Sequence, residues 1–144
     1  MTNLQDAKEY LLQYKRMLVR IKSVEAVIDE LREERESIGS DITAMPKGSD
    51  ISDKTGSLAV QLADMESKLV DIRSDAWHIC MDIVNTISKV DDPACARLLH
   101  LRYIEMKTWE QISDEMYYSC RWVYGSLHSI ALQKVDEILK RRVN

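Results

Sequence analysis

The chain has 144 residues and a formal charge of −4, with 31% charged and 45% hydrophobic residues, four Gly, two Pro and no Phe. This composition, rich in Leu, Ile, Glu, Lys and Arg, is the kind that long helices use, and it predicts an all-α protein. The N-terminus lacks the basic run and apolar stretch of a secretory signal, and no window approaches the roughly 20 consecutive apolar residues of a membrane span. A cytoplasmic protein with no membrane partner is therefore expected.

From Leu4 the apolar residues fall at Ala7, Leu11, Tyr14, Leu18, Ile21, Val24, Ile28, Leu31 and Ile38, a three-four alternation with one irregular step near Ile21 that forms one stripe of a long helix. A second stripe runs through Leu58, Leu62, Met65, Leu69, Ile72, Ala76, Ile79 and Ile83, alternating four and three without a break. Between them the segment 39–56 holds three of the four glycines, one proline and no helical period, so it reads as a loop. Two helices of ~50 Å, at about 1.5 Å per residue, joined by one loop can bury their stripes against each other as an antiparallel hairpin. Met17, Val27, Val60 and Val84 widen the apolar faces beyond what one partner covers. A homodimer or higher oligomer through the hairpin, or packing of a C-terminal head on it, is the expected consequence.

Asp91-Asp92-Pro93 reads as a cap followed by Pro at the first helical position. A third helix should start there, carrying Leu98, Leu99, Leu101, Arg102 and Ile104. Thr108 is placed to cap a short helix over 109–116, with Gln111 three residues on to close a capping box. Ser119 is placed to cap a last helix, with Val123, Leu127, Ile130, Ala131, Val135, Ile138 and Leu139 on its inner side. The predicted architecture is a helical hairpin over 1–91, with its loop at about 39–56, followed by a trihelical helix-turn-helix domain over 92–144.

Charge is unevenly placed along this organisation. Residues 93–144 hold eight basic and six acidic residues, a balance of +2 that leaves −6 for residues 1–92. Contact with phosphate therefore belongs to the C-terminal part. A short second helix, a turn of about three residues and a third helix opening Ser119-Cys120-Arg121-Trp122-Val123-Tyr124 make a helix-turn-helix pattern. Ile112 and Met116 must pack on Val123 and Leu127 to hold the last helix. Its outward residues are then Cys120, Arg121, Trp122, Tyr124, Gly125 and His128, the candidate base readers, while Lys107, Thr108 and Ser119 are placed to meet phosphates.

The stretch from Leu98 to Tyr124, LLHLRYIEMKTWEQISDEMYYSCRWVY, with Leu127-His128 and Ala131-Leu132 beyond it, resembles the sigma-factor region-four-like transcription regulators of phages and integrative elements in Gram-positive bacteria, the ArpU and RinA kind. The segment Met45-Pro46-Lys47-Gly48-Ser49-Asp50-Ile51-Ser52-Asp53-Lys54 is similar to a loop of those proteins. The resemblance covers roughly half the chain. It implies double-stranded DNA at promoters as the partner, with RNA polymerase as a candidate second one. The sequence departs from a true sigma region four in two ways: the interval from Val123 to Leu132 is one residue longer, and Cys120 and Gly125 stand where polar or basic readers are expected.

Other readings have less in their favour. Cys80, Cys95 and Cys120 lie in no CxxC pair, and His78 beside Trp77 and Cys80 leaves one ligand per helix face, so neither a disulfide framework nor a metal site is expected. Glu33, Glu34 and Glu36 form a solvated face without a nucleophile beside them, and no phosphate loop or nucleophile elbow occurs. No cofactor and no enzymatic activity are expected. Two alternatives stay open: a small terminase subunit-like DNA-packaging protein, and a module that binds protein rather than DNA.

Overall fold

A computed structural model describes the backbone of residues 4–44 and 49–143, and the side chains of 4–38 and 53–143. The protein is all-α, with no strand among the described residues. Helices α1 (Leu4–Ala44) and α2 (Ser49–Ser88) are followed by α3 (Pro93–Leu99), which runs into a wide π turn at His100–Ile104. Then come α4 (Trp109–Met116), the single turn α5 (Cys120–Trp122), a second π turn at Val123–Leu127, and α6 (His128–Val143). No described helix is long and apolar enough to cross a membrane.

The described part of the segment 39–56, expected as a loop, is helical. Helix continues through 39–44 and resumes at 49, so the Gly39 and Gly56 backbones are both helical. The reason is cooperativity: a glycine costs about 1 kcal/mol inside a helix, too little to stop propagation from a long helix already nucleated. Met45, Pro46, Lys47 and Gly48, the centre of the expected loop, lie outside the described residues.

The chain divides into two compact units, and α1 and α2 contribute to both. In the unit 18–75, Val24, Ile28 and Ile38 of α1 are buried, as are Leu58, Leu62, Leu69 and Ile72 of α2. Arg32 pairs with Glu66 at 3.0 Å and Arg73 with Glu25 at 2.7 Å. A step of seven forward on one helix matches seven backward on the other, so these stretches run antiparallel. Such exposed ion pairs add at most about 1 kcal/mol each, and the apolar stripe supplies most of the stabilisation.

The unit formed by 1–17 and 76–144 has its own core. Ala7 and Leu11 of α1 and Ile83 of α2 share it with Cys95, Leu98, Leu99, Ile112, Val123, Ala131 and Val135. A polar clasp fastens its edge: the Tyr10 hydroxyl lies 2.5 Å from Asp82 Oδ2 and 2.8 Å from Thr86 Oγ1, and Arg142 of α6 reaches Asp82 Oδ1 at 2.9 Å. Arg142, and after it Tyr10, hold the Asp82 carboxyl below the usual carboxylate range.

Local chemistry sets the helix starts. Asp92 accepts from the backbone N–H of Ala94 and of Cys95, ahead of Pro93 at the first helical position. Thr108 and Gln111 complete a reciprocal capping box on α4. Ser119 Oγ accepts from Trp122 N–H at 3.1 Å. Each such cap is worth about 1 kcal/mol. Tyr117 ends α4 in the left-handed region at φ 59°, with no glycine present, at a cost of roughly 1–2 kcal/mol.

The two π turns change which side chains face inward. Each puts one extra residue into a turn and so rotates the residues beyond it by about a quarter turn relative to an α-helix. After Val123 the inner stripe becomes Leu127, His128, Ala131, Leu132 and Val135, all buried, while Ile130 turns outward. The expected inner position of Ile130 and outer position of His128 are both corrected by this rotation. In the turn at 100–104 Tyr103 is buried in the core and Arg102 is half-buried at its edge.

Candidate nucleic-acid interface

Helix α4, the turn 117–119 and the helical run from Cys120 place one face at the surface. Beneath it Ile112 and Val123 are fully buried, Leu127 is buried, and Met116 packs against the same core. The turn is fastened by Ser113, whose carbonyl accepts from the N–H of Tyr117 and of Tyr118, and whose hydroxyl donates to Tyr118 O. The start of the last helical run is thus held from below by apolar contact and from the side by backbone bonds.

On the outer side Cys120, Arg121, Trp122, Tyr124 and Gly125 are all exposed. Arg121 has no ion pair with a described residue and extends from a capped first turn. Trp122 is 43% and Tyr124 62% exposed, so both rings offer free surface. Cys120 is a free thiol, with Sγ 3.9 Å from Trp109 O. Thr108 and Ser119 are exposed, and their side-chain oxygens are engaged as caps.

Two candidates are held differently from what their spacing suggests. Lys107 is half-buried and ion-paired with Glu115, which Arg97 also approaches at 3.7 Å. The Glu115 carboxylate raises the Lys107 pKa above the ordinary lysine value, so the ammonium stays charged but is engaged. His128 is 7% exposed, with Nε2 2.6 Å from the Tyr103 hydroxyl and the two rings stacked. Burial, reinforced by Lys8 and Arg102, lowers the His128 pKa to about 4, so the imidazole is neutral near pH 7. Burial likewise pushes the Tyr103 phenol up to about 12.

An aromatic cluster that sequence reasoning missed lies beside these residues. The Trp109 ring meets Tyr124 edge-on at 5.2 Å and His128 at 4.7 Å, and the Arg102 guanidinium sits 4.4 Å above its centroid. The signal available was the pair Arg102 and Trp109 in one capped segment, but nothing in the spacing says that they meet. An open cleft of about 490 Å³ adjoins the cluster. Among the described residues no three His, Cys, Asp or Glu side chains converge as metal ligands.

Comparison with protein-family models, with curated proteins and with solved structures finds no match.

Proposed function

We propose that this protein is a non-enzymatic, sequence-specific regulator of transcription, phage or prophage encoded, that binds double-stranded DNA as an oligomer. Its helical hairpin carries a helix-turn-helix made of α3, α4 and the run from Cys120. The observation that carries the reading is the capped α4–turn–α5 arrangement, in which a buried Ile112–Val123 contact underlies an exposed row of Arg121, Trp122, Tyr124 and Gly125. Such a row on the first turns of a rigidly held helix has the width and the donors to enter a major groove. The resemblance to sigma region-four-like regulators of the ArpU and RinA kind points the same way, and adds RNA polymerase as a candidate contact.

The oligomeric part of this reading is favoured by the surface of the unit 18–75, where Val60 and Val70 of α2 are 61% and 65% exposed and Val19 and Val27 of α1 are exposed as well. Two heads on one duplex would also compensate for the small excess of positive charge on each. Selection from a random duplex library with purified protein tests the reading. An enriched motif is expected, and recovery of unenriched sequence would reject it. A second reading, a module that binds protein, is favoured by the density of free aromatic surface around Tyr117, Tyr118, Trp122 and Tyr124.

A further inference from the structure

The cleft beside Trp109 draws its walls from three places. Lys8 comes from α1, Arg102 from the first π turn, and Tyr124 and Gly125 from the second, with the neutral His128 at the start of α6. Neither Lys8 nor Arg102 has a carboxylate partner among the described residues. This contrasts with Lys107, Lys134 and Arg142 of the same unit, each of which is ion-paired. The Arg102 guanidinium is nevertheless fixed, by donation to Lys107 O at 3.0 Å and by stacking over Trp109. An Arg pinned at its flat face and at one nitrogen, with further N–H groups left over, is preorganised to receive an anion. A carbon added at Gly125 would meet nothing within 4 Å, so the wall of the cleft is open at that point.

The electrostatics agree with the geometry. Lys8 and Arg102 both act on His128 to disfavour its protonation, so a positive field reaches the cleft and its histidine adds no charge of its own. Tyr124 and Gly125 also belong to the exposed row of the last helical run, so the cleft opens beside the surface proposed to meet DNA.

We infer that this cleft is a phosphate-binding site whose cations are Lys8 and Arg102, with the Trp109–Tyr124 pair as an aromatic wall. The phosphate would be carried by the backbone of duplex DNA or by a free nucleotide. The first source rests on the DNA-binding reading; the chemistry of the cleft does not. If DNA is the source, the start of α1 contributes to the interface although its sequence belongs to the acidic part of the chain.

The test uses Lys8→Ala and Arg102→Gln in the full chain, the Gln retaining a donor for Lys107 O. Anisotropy with duplex DNA at several salt concentrations should show each variant binding several-fold more weakly on any sequence, with the salt slope reduced by about one unit per variant. In a parallel arm, inorganic phosphate and deoxyadenosine monophosphate are titrated while the His128 ring and Trp109 indole resonances are followed by NMR. Saturable shifts in wild type that vanish in Lys8→Ala would establish a free-phosphate site even if duplex DNA does not bind. If wild type binds DNA and both variants match it in affinity and slope, and neither small anion shifts the resonances, the inference is overturned while the DNA-binding reading stands. If neither DNA nor the small anions bind, both are rejected. Circular dichroism of Arg102→Gln checks folding, and Lys8→Ala, at an exposed position, carries the decision alone if that variant unfolds.

Discussion

The Tyr103 hydroxyl lies 2.6 Å from His128 Nε2, across 25 residues of chain, with Tyr103 inside one π turn and His128 directly after the other. Without the extra residue in the turn at Val123–Leu127, helical period would direct His128 away from this contact. The pair therefore couples the first and last helices of the C-terminal head, and it forms the floor on which the Trp109 cluster rests.

A pH dependence arises from this pair. His128 has a pKa of about 4 in the folded protein against an ordinary value of 6.5, so between those values the unfolded chain binds the extra proton. Stability is then fully present above pH 6.5 and is lost as pH falls toward 4, by roughly 3 kcal/mol over the window. Carboxylates contribute below about pH 5, so the interval from pH 6.5 to 5 is diagnostic. Urea denaturation across it should show a clear slope in wild type that largely disappears in His128→Gln. An unchanged slope in that variant would place the titration elsewhere.

Gly125 separates stability from binding. Its φ is not positive and the space around it is open, so Gly125→Ala is sterically permitted. The substitution should raise stability by about 0.5–1 kcal/mol through helix propensity and a less flexible unfolded chain. If DNA approaches the backbone closely there, the same variant should bind the selected duplex more weakly in spite of its higher midpoint. Stabilisation with undiminished affinity would remove Gly125 from the interface.

The proposed self-association would use exposed rather than buried positions of the unit 18–75. Leu69 and Ile72 are buried within the unit, so an Asp at either should unfold it, since an unpaired charge in such a seam costs several kcal/mol. Val60→Glu with Val70→Glu should instead leave helicity intact and convert the assembly to a 16.7 kDa monomer in light scattering. A monomeric wild type at tens of micromolar would contradict the proposed oligomer.

The features legible in the sequence and those hidden from it differ for physical reasons. The start of α3, the bounds of α4 and the caps at Asp92, Thr108 and Ser119 are readable because each depends on side chains within three residues of the backbone they satisfy. The density of Gly, Ser and Asp over 39–56 suggests a loop where the backbone is mostly helical, because weak helix formers do not stop a helix that its neighbours sustain. The π turns have no side-chain signature, so a strict 3.6 period puts His128 outside and Ile130 inside. Lys8 could not be found at all, since only tertiary packing brings α1 to the cleft.

The most direct measurement is fluorescence anisotropy of Arg121→Ala on a duplex obtained by library selection, beside a scrambled duplex of equal length. Arg121 is exposed on a capped first turn, free of any ion pair with a described residue, and its fork suits a guanine edge. The expected result is a loss of ~1–3 kcal/mol on the selected site, relaxed preference at one base position, and little change on the scrambled duplex. Binding of Arg121→Ala to the selected site with wild-type affinity and wild-type preference would contradict it, and would show that the last helix does not read the groove through its first turn.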